Sequence, residues 1–146
     1  TPDPPAGDML NRLVMSTNAA RSANGRPLLN TNAKLYAVAQ IQANFCARNN
    51  VLTHVGSKGS TVADRANVVG YAWSSLAENA AQQPTAPPGW TLDDVRTPEW
   101  IVGGWMKSPG HRDNLLGPYT EIGAAYADAA NGTRYWTAVY ASPSHS

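Results

Sequence analysis

The residues of this 146-residue chain best suited to chemistry are a few histidines and glutamates. The imidazoles belong to three residues, His54, His111 and His145, and the glutamate carboxylates to three others, Glu78, Glu99 and Glu121. Imidazole and carboxylate groups act as general acids or bases and as ligands for zinc. The segment from Trp105 to Leu116 contains His111, and Glu121 follows ten residues later. Any site built from imidazole and glutamate must therefore draw on very few residues.

Glu78 is the glutamate that packing explains least well. Its neighbours Leu76, Ala77 and Ala80 are apolar and lie in a predicted strand. A carboxylate there is costly unless it is paired or faces a cleft. Glu78 is therefore a candidate for a functional site.

The other candidates have structural interpretations that stay open on sequence alone. His54 could hydrogen-bond the end of the preceding helix, and His111 could fill the first turn of a helix capped by Ser108. Glu121 could pair with Arg134 across a hairpin. Spacing does not decide whether these groups share one site.

The composition is typical of one globular domain covering residues 1–146, with residues 1–7 as an extended lead and 143–146 as a tail. The net charge of +1 and the scattered basic residues argue against a nucleic-acid partner. No apolar run approaches the roughly 20 residues that span a bilayer, so no integral membrane segment is expected. No organic cofactor is expected either.

Other local features concern export and covalent modification. Cys46 is the single cysteine, so no intramolecular disulfide can form, and its place near an apolar stripe predicts a buried thiol. The closely spaced prolines at the N-terminus are typical of a processed chain that has lost a signal peptide, which favours a secreted protein. Asn131-Gly132-Thr133 matches a glycosylation acceptor, but a hairpin turn explains Asn-Gly better.

Apolar spacing and capping residues predict the elements that must position these residues. The predicted helices are Asp8–Ala23, a helix capped by Asn32 that runs to about Asn49 with Leu35, Val38, Ile41 and Phe45 buried, a short helix capped by Ser60, a helix that starts at Thr97-Pro98, and one further turn after Ser108-Pro109. The predicted strands are Ser75–Gln82, Thr120–Asp128 and Arg134–Ser142. Since neither strand of the final hairpin has a charged face, both faces of the sheet should be covered. The sequence therefore predicts an α+β sandwich.

Four ordered blocks give the chain a resemblance to the CAP superfamily, or SCP domain, of cysteine-rich secretory, antigen-5 and pathogenesis-related proteins. It is most similar to the disulfide-free branch common in bacteria and also found in fungi. The blocks are Asn18–Arg21 with Gly25–Leu28, Leu52–His54 with Gly56–Ser60 and Asp64-Arg65, Leu76–Ala81 with Ala77 where glycine is usual, and Trp105–Leu116. The resemblance runs from about Leu13 to Tyr140.

This resemblance implies an α-β-α sandwich around a small antiparallel sheet. It also implies a central cleft of two histidines and acidic residues, which in some members binds zinc or another divalent cation. The matching positions are His54, Glu78 and His111. Ser108 stands where larger members have a second glutamate, and Glu121 of the Thr-Glu-Ile-Gly block is the alternative. The implied metal ligands are His54 and His111 with Glu78 or Glu121.

Two functions follow as hypotheses from the resemblance. The first is a secreted binding module for a sterol or fatty acid, cell-wall material or a protein. Five tryptophans could line apolar grooves, although Trp100 and Trp105 are expected to pack in the core. The alternative is a zinc-dependent, peptidase-like hydrolase in which Glu78 or Glu121 is the general base. Binding is favoured over catalysis, because no nucleophile with an ordered base is evident and helix capping accounts for Ser108.

Overall fold

The computed structural model describes residues 6–84, 88–90 and 97–144, so His145 and part of the proline-rich loop lie outside the described residues. The described residues contain five α-helices: α1 (Ala6–Ala23), α2 (Ala33–Asn49), α3 (Val62–Val68), α4 (Pro98–Met106) and α5 (Pro109–Leu115). They also contain four strands: β1 (Asn30–Thr31), β2 (Trp73–Gln83), β3 (Glu121–Asp128) and β4 (Arg134–Pro143). A short 3₁₀ turn spans Ser57–Gly59.

The four strands form one sheet in the order β1-β3-β4-β2. Strand β4 pairs antiparallel with both β2 and β3. Strand β1 pairs parallel with β3. The sheet is therefore mixed, which corrects the expectation of a purely antiparallel sheet. The sequence does not reveal β1, because two residues carry no periodic pattern and their pairing depends on tertiary contacts.

Helices cover both faces of the sheet and confirm the predicted α-β-α arrangement. One core contains Leu13 of α1, Trp105 of α4 and Trp136 of β4. The other contains Leu35 of α2 and Val139 of β4. Alternate residues of β4 thus enter opposite cores, which explains why neither face of this strand is charged.

Helix α2 is capped as predicted and buries Leu35 and Val38 as predicted, but the second half of its predicted apolar stripe is not buried. The Asn32 side chain accepts hydrogen bonds from two N–H groups of the first turn, and Asn50 ends the helix with a positive φ of 51°. Ile41 is exposed, and Phe45 is only partly buried. The buried residues are Leu35, Val38, Ala39, Gln42, Ala43, Cys46 and Ala47. Small alanines let the helix approach the sheet closely, and a search for large apolar residues misses that face.

Three further local predictions are corrected. Thr61, not Ser60, caps α3, because Thr61 forms a reciprocal capping box with Asp64. Helix α5 is longer than the single turn expected. Trp100 is exposed, whereas Trp105 is buried as predicted. Thr97 does cap α4, with Pro98 in the first turn.

Among the described helices, none is both long and apolar enough to cross a membrane.

Candidate functional site

A buried ion pair holds the imidazole of His54 at the edge of the sheet. Glu78 lies on β2, and its Oε1 is 2.8 Å from His54 Nδ1. The other carboxylate oxygen accepts a hydrogen bond from Arg65 Nη2 at 2.9 Å. The side chains of Glu78 and Arg65 are each 3% exposed, whereas that of His54 is 57% exposed. Buried charges thus fix an imidazole that faces solvent. The pairing with Arg65 and His54 also offsets the free-energy cost of burying the Glu78 carboxylate.

Two buried side chains hold the loop that carries His54 through hydrogen bonds to its backbone oxygens. Arg65 donates to the backbone oxygens of His54 at 3.1 Å and Ser60 at 2.9 Å. Gln42 is fully buried and donates to the backbone oxygen of Thr53 at 2.7 Å. Gly56 leaves the space this requires, because a Cβ there would lie 2.7 Å from Gln42 Oε1. The loop is therefore held in one conformation around His54.

His111 lies on α5, and its imidazole contacts Ser108 in place of a helix-capping bond. His111 Nδ1 is 2.8 Å from Ser108 Oγ, and the Ser108 side chain makes no hydrogen bond to the helix backbone. Capping therefore does not account for Ser108, contrary to the expectation. The amide of Asn79 donates to the backbone oxygen of His111 at 2.9 Å, and Asn114 donates to that of Glu78 at 3.3 Å. These amides join α5 to β2 beside Glu78.

The pKa values of the two imidazoles are shifted in opposite directions. The hydrogen bond to Glu78 raises the pKa of His54, an effect that partial burial opposes. Burial lowers the pKa of His111, and the positive charge of His54 lowers it further. His54 and His111 are thus close enough to interact electrostatically, and His54 is the more readily protonated of the two.

A shallow cavity of about 360 Å³ opens beside His54 and Glu78. It is lined by His54, Val55, Thr61, Val62, Glu78 and Asn114. Exposed side chains of Val51, Leu52 and Val55 lie on the same loop as His54. The cavity therefore combines a fixed imidazole, polar hydrogen-bonding groups and apolar walls. We call this region the His54 cleft.

Glu121 does not line the His54 cleft. It pairs with Ala141 on β4, whereas Glu78 pairs with Val139 from the other side of the same strand. Its carboxylate accepts a hydrogen bond from the Tyr71 hydroxyl at 2.5 Å and lines a separate recess. The expected pair with Arg134 is also absent, because the hairpin register places Arg134 opposite Asp128, with which it forms an ion pair at 2.6 Å.

The side chains near His54 fit a divalent metal only in part. Hydrogen bonds at Nδ1 leave Nε2 of His54 and of His111 as the nitrogens available to a ligand. The contact with Glu78 resembles the carboxylate–histidine pairs that orient metal-binding imidazoles. However, both oxygens of Glu78 are already bonded, and the described part of the chain contains no group of three or more metal-ligating side chains. The three-ligand zinc site typical of enzymes does not fit this arrangement.

Sequence reasoning missed four residues that position this site. Arg65, Gln42, Asn79 and Asn114 make the contacts that hold His54, Glu78 and His111. Arg65 lies in a block that resembles the family, but nothing local indicates that it is buried. Asn79 follows Glu78 directly in a covered strand, where a second polar residue was a usable signal.

An α-β-α sandwich with paired histidine and glutamate at one edge of its sheet defines a class of domain, and a family model identifies it. Residues 15–140 match the model of the CAP family, the cysteine-rich secretory protein family. The match covers most of the chain, so this protein belongs to the CAP family.

Several bacterial proteins are similar to this chain in sequence or in structure. The uncharacterized protein YkwD of Bacillus subtilis strain 168 is 28% identical over 127 residues, which is 86% of this chain and 44% of YkwD. An extracellular SCP-domain protein of Bacillus anthracis superposes with a TM-score of 0.79 at 23% identity, over 97% of this chain and 45% of that one. An outer surface protein of Borrelia burgdorferi gives 0.74 at 19% identity, over 92% of each chain. The chain thus spans less than half the length of the two Bacillus proteins, and the structural likenesses establish the fold alone.

Proposed function

We propose that this chain is an extracellular binding module whose ligand occupies the His54 cleft. The observation that carries the proposal is the solvent-facing imidazole of His54, fixed by the buried pair of Glu78 and Arg65. Burying two charges to orient one exposed side chain is expected where that side chain contacts a ligand. The extracellular location is proposed because the similar SCP-domain protein of Bacillus anthracis is extracellular.

The shape of the cleft favours an extended ligand over a free lipid. Sites for small apolar molecules bury most of the ligand surface. The His54 cleft is instead open and about 360 Å³ in volume. A segment of a wall glycan or of a protein can lie across such a cleft, with polar groups at His54, Thr61 and Asn114 and an apolar face on Val55 and Val62. A sterol or fatty acid is the less favoured ligand.

Metal binding at the cleft is a secondary proposal. Zinc or another divalent cation would be held by His54 and His111, with solvent or the ligand completing its coordination. When bound, a metal of this kind supplies a Lewis acid for polarising a ligand oxygen. Because the carboxylates do not complete a three-ligand set, we assign no catalytic step to it.

Zinc-dependent hydrolysis is the weaker candidate. A general base must be open to the site and lie within hydrogen-bond reach of the water that it deprotonates, and the Glu78 side chain is only 3% exposed. Glu78 has both oxygens engaged, and Glu121 lines a different recess. Neither carboxylate proposed from the sequence is available for that role in this geometry, and binding is therefore the function we favour.

The proposed function is tested by titrating the ¹⁵N-labelled protein with three probes while recording amide NMR spectra. The probes are a β-1,4-linked N-acetylglucosamine tetramer, a mixture of random hexapeptides and vesicles that contain sterol. We expect saturable shifts at Thr53–Val62 and Asn114 with the tetramer or the peptides, and their loss in His54→Ala. Gln82→Ala alters an exposed residue of the same strand and should retain them. Shifts that persist in His54→Ala, or no saturable shift at these amides with any probe, would overturn the proposal.

A further inference from the structure

A second recess lies at the start of α2, apart from the His54 cleft. Its volume is about 540 Å³, and it is bounded by the first turn of α2, the Gly70–Ala72 turn, the start of β3 and the end of β4. Four side chains with polar groups, those of Asn32, Lys34, Tyr71 and Glu121, contribute to its lining. None of the residues that line the His54 cleft lines this recess. We call it the Glu121 recess.

Among the residues that the structure describes, the groups that hold the Glu121 carboxylate are neutral donors. The Tyr71 hydroxyl donates to Oε1 at 2.5 Å, and the Asn32 amide lies 3.4 Å from Oε2. Burial and the neighbouring carboxylate raise the pKa of Tyr71, so its hydroxyl stays protonated and serves as a donor. Among the described residues, no lysine or arginine forms an ion pair with Glu121. A partly buried carboxylate without a counter-charge attracts a cationic group.

The ammonium group of Lys34 lies in the same recess but is hydrogen-bonded to the backbone and not to Glu121. The Lys34 ammonium donates to the backbone oxygen of Gly70 at 2.9 Å and is exposed. An exposed lysine bonded to one carbonyl can turn to an incoming anion at little cost, because its four-carbon stem is flexible. The recess therefore presents a fixed negative group and a movable positive group that form no ion pair with each other in this structure.

We propose that the Glu121 recess binds a small zwitterion, such as a free amino acid. The ammonium group of the ligand lies against the Glu121 carboxylate, and its carboxylate lies against Lys34. Charge-assisted hydrogen bonds of this type are stronger than those between neutral groups. A ligand with a single charge leaves one of the two protein charges uncompensated and binds more weakly. The recess is large enough for a side chain as well, so the proposal names the class of ligand and not one amino acid.

The test is an amide NMR titration of the whole chain with L-alanine, and with methylamine and acetate as probes that each carry one of its charges. We expect saturable shifts at Lys34, Tyr71 and Glu121 with L-alanine, and at least tenfold weaker binding of methylamine and of acetate. Glu121→Gln keeps an oxygen that can accept from Tyr71, so it should fold while losing at least tenfold in alanine affinity. Lys34→Gln should lose affinity to a similar degree.

His54→Ala separates this proposal from the proposed function. It should leave alanine binding unchanged, since His54 does not line the Glu121 recess. Absence of saturable shifts with L-alanine would overturn the inference, as would alanine binding unaffected by Glu121→Gln. Equal affinity for methylamine and L-alanine would also overturn it, because Lys34 would then have no role. None of these results bears on the His54 cleft.

Discussion

At the scale of single residues, the main observation is that buried charges orient one exposed imidazole. Glu78 bonds His54 with one oxygen and Arg65 with the other. A buried carboxylate shared in this way keeps His54 in the orientation that leaves Nε2 towards the cleft.

Replacing Glu78 by Gln should lower the pKa of His54, because the hydrogen bond to the carboxylate is the largest cause that raises it. A raised pKa in the folded state means that this pairing stabilises the protein fully below the unfolded value near 6.5. That contribution is lost as the pH rises through the folded pKa. The difference in unfolding free energy between wild type and Glu78→Gln should therefore shrink with rising pH to a constant remainder. NMR titration of His54 and urea denaturation at several pH values measure both effects, and an unchanged His54 pKa would contradict them.

Replacing Arg65 by Met should destabilise the protein by about 3 kcal/mol, because it removes one partner of a buried pair. The loss includes the hydrogen bonds to the backbone oxygens of His54 and Ser60. Lys58→Met alters an exposed cation nearby and should change stability by less than about 0.5 kcal/mol. The measurement is the urea midpoint at constant m-value. Equal stability of the two variants would show that Arg65 does not support the loop.

At the scale of elements, close approach of α2 to the sheet determines the packing. A Cβ on Gly123 of β3 would collide with the backbone of Leu35 and Tyr36 in the first turn of α2. Glycine is needed there for space and not for a special backbone angle. The fully buried Arg21 makes a second tie, because it joins the end of α1 to the segment after α5.

Gly123→Ala should destabilise the protein by about 3 kcal/mol or more, because the colliding atoms belong to the backbone and cannot move aside as a flexible side chain would. Gly103→Ala in α4 is the control, since its added methyl meets no atom within 4 Å. Replacing glycine inside a helix should stabilise the protein by about 0.5–1 kcal/mol. Thermal unfolding of both variants measures the difference. A neutral Gly123→Ala would contradict the proposed contact between α2 and β3.

Arg21→Met should cost about 3–5 kcal/mol, because it leaves buried backbone oxygens without donors. The Arg21 guanidinium donates to the backbone oxygens of Pro27, Leu115, Gly117 and Tyr119. Arg26→Met, at an exposed site five residues later, should have little effect. Calorimetry of the two variants tests the prediction. A small loss for Arg21→Met would mean that water replaces the guanidinium.

The sequence predicts elements well where the decisive contact is local. The residue types of Asn32 and Thr97 predict caps correctly, because each side chain has only to reach a backbone N–H within three residues. The parallel pairing of β1 and the destination of Glu121 depend on strand register across the sheet, which no local pattern reports. On α2 the sequence predicts the burial of Leu35 and Val38 correctly but not that of Ala39 and Ala43, because small residues do not stand out as an apolar stripe.

At the scale of the whole molecule, one strand of the sheet separates the two polar sites. Strand β4 lies between β2, which carries Glu78, and β3, which carries Glu121. The resemblance to the CAP family correctly indicated the fold and led to His54, Glu78 and His111. It did not indicate that Glu121 lies in another recess, because family blocks carry residue identities and not the register of this particular sheet.

Titration with zinc, followed through the imidazole resonances, tests most directly the claim that His54 and His111 lie close enough to bind one ligand together. The account predicts that both imidazoles shift together along one saturation curve, and that His54→Ala weakens the response of His111. Binding should be weaker than at a three-ligand zinc site, because two imidazoles supply the protein ligands. If one imidazole shifts without the other, if the His111 response is the same in His54→Ala, or if neither shifts, the two residues do not share a ligand and the claim is wrong.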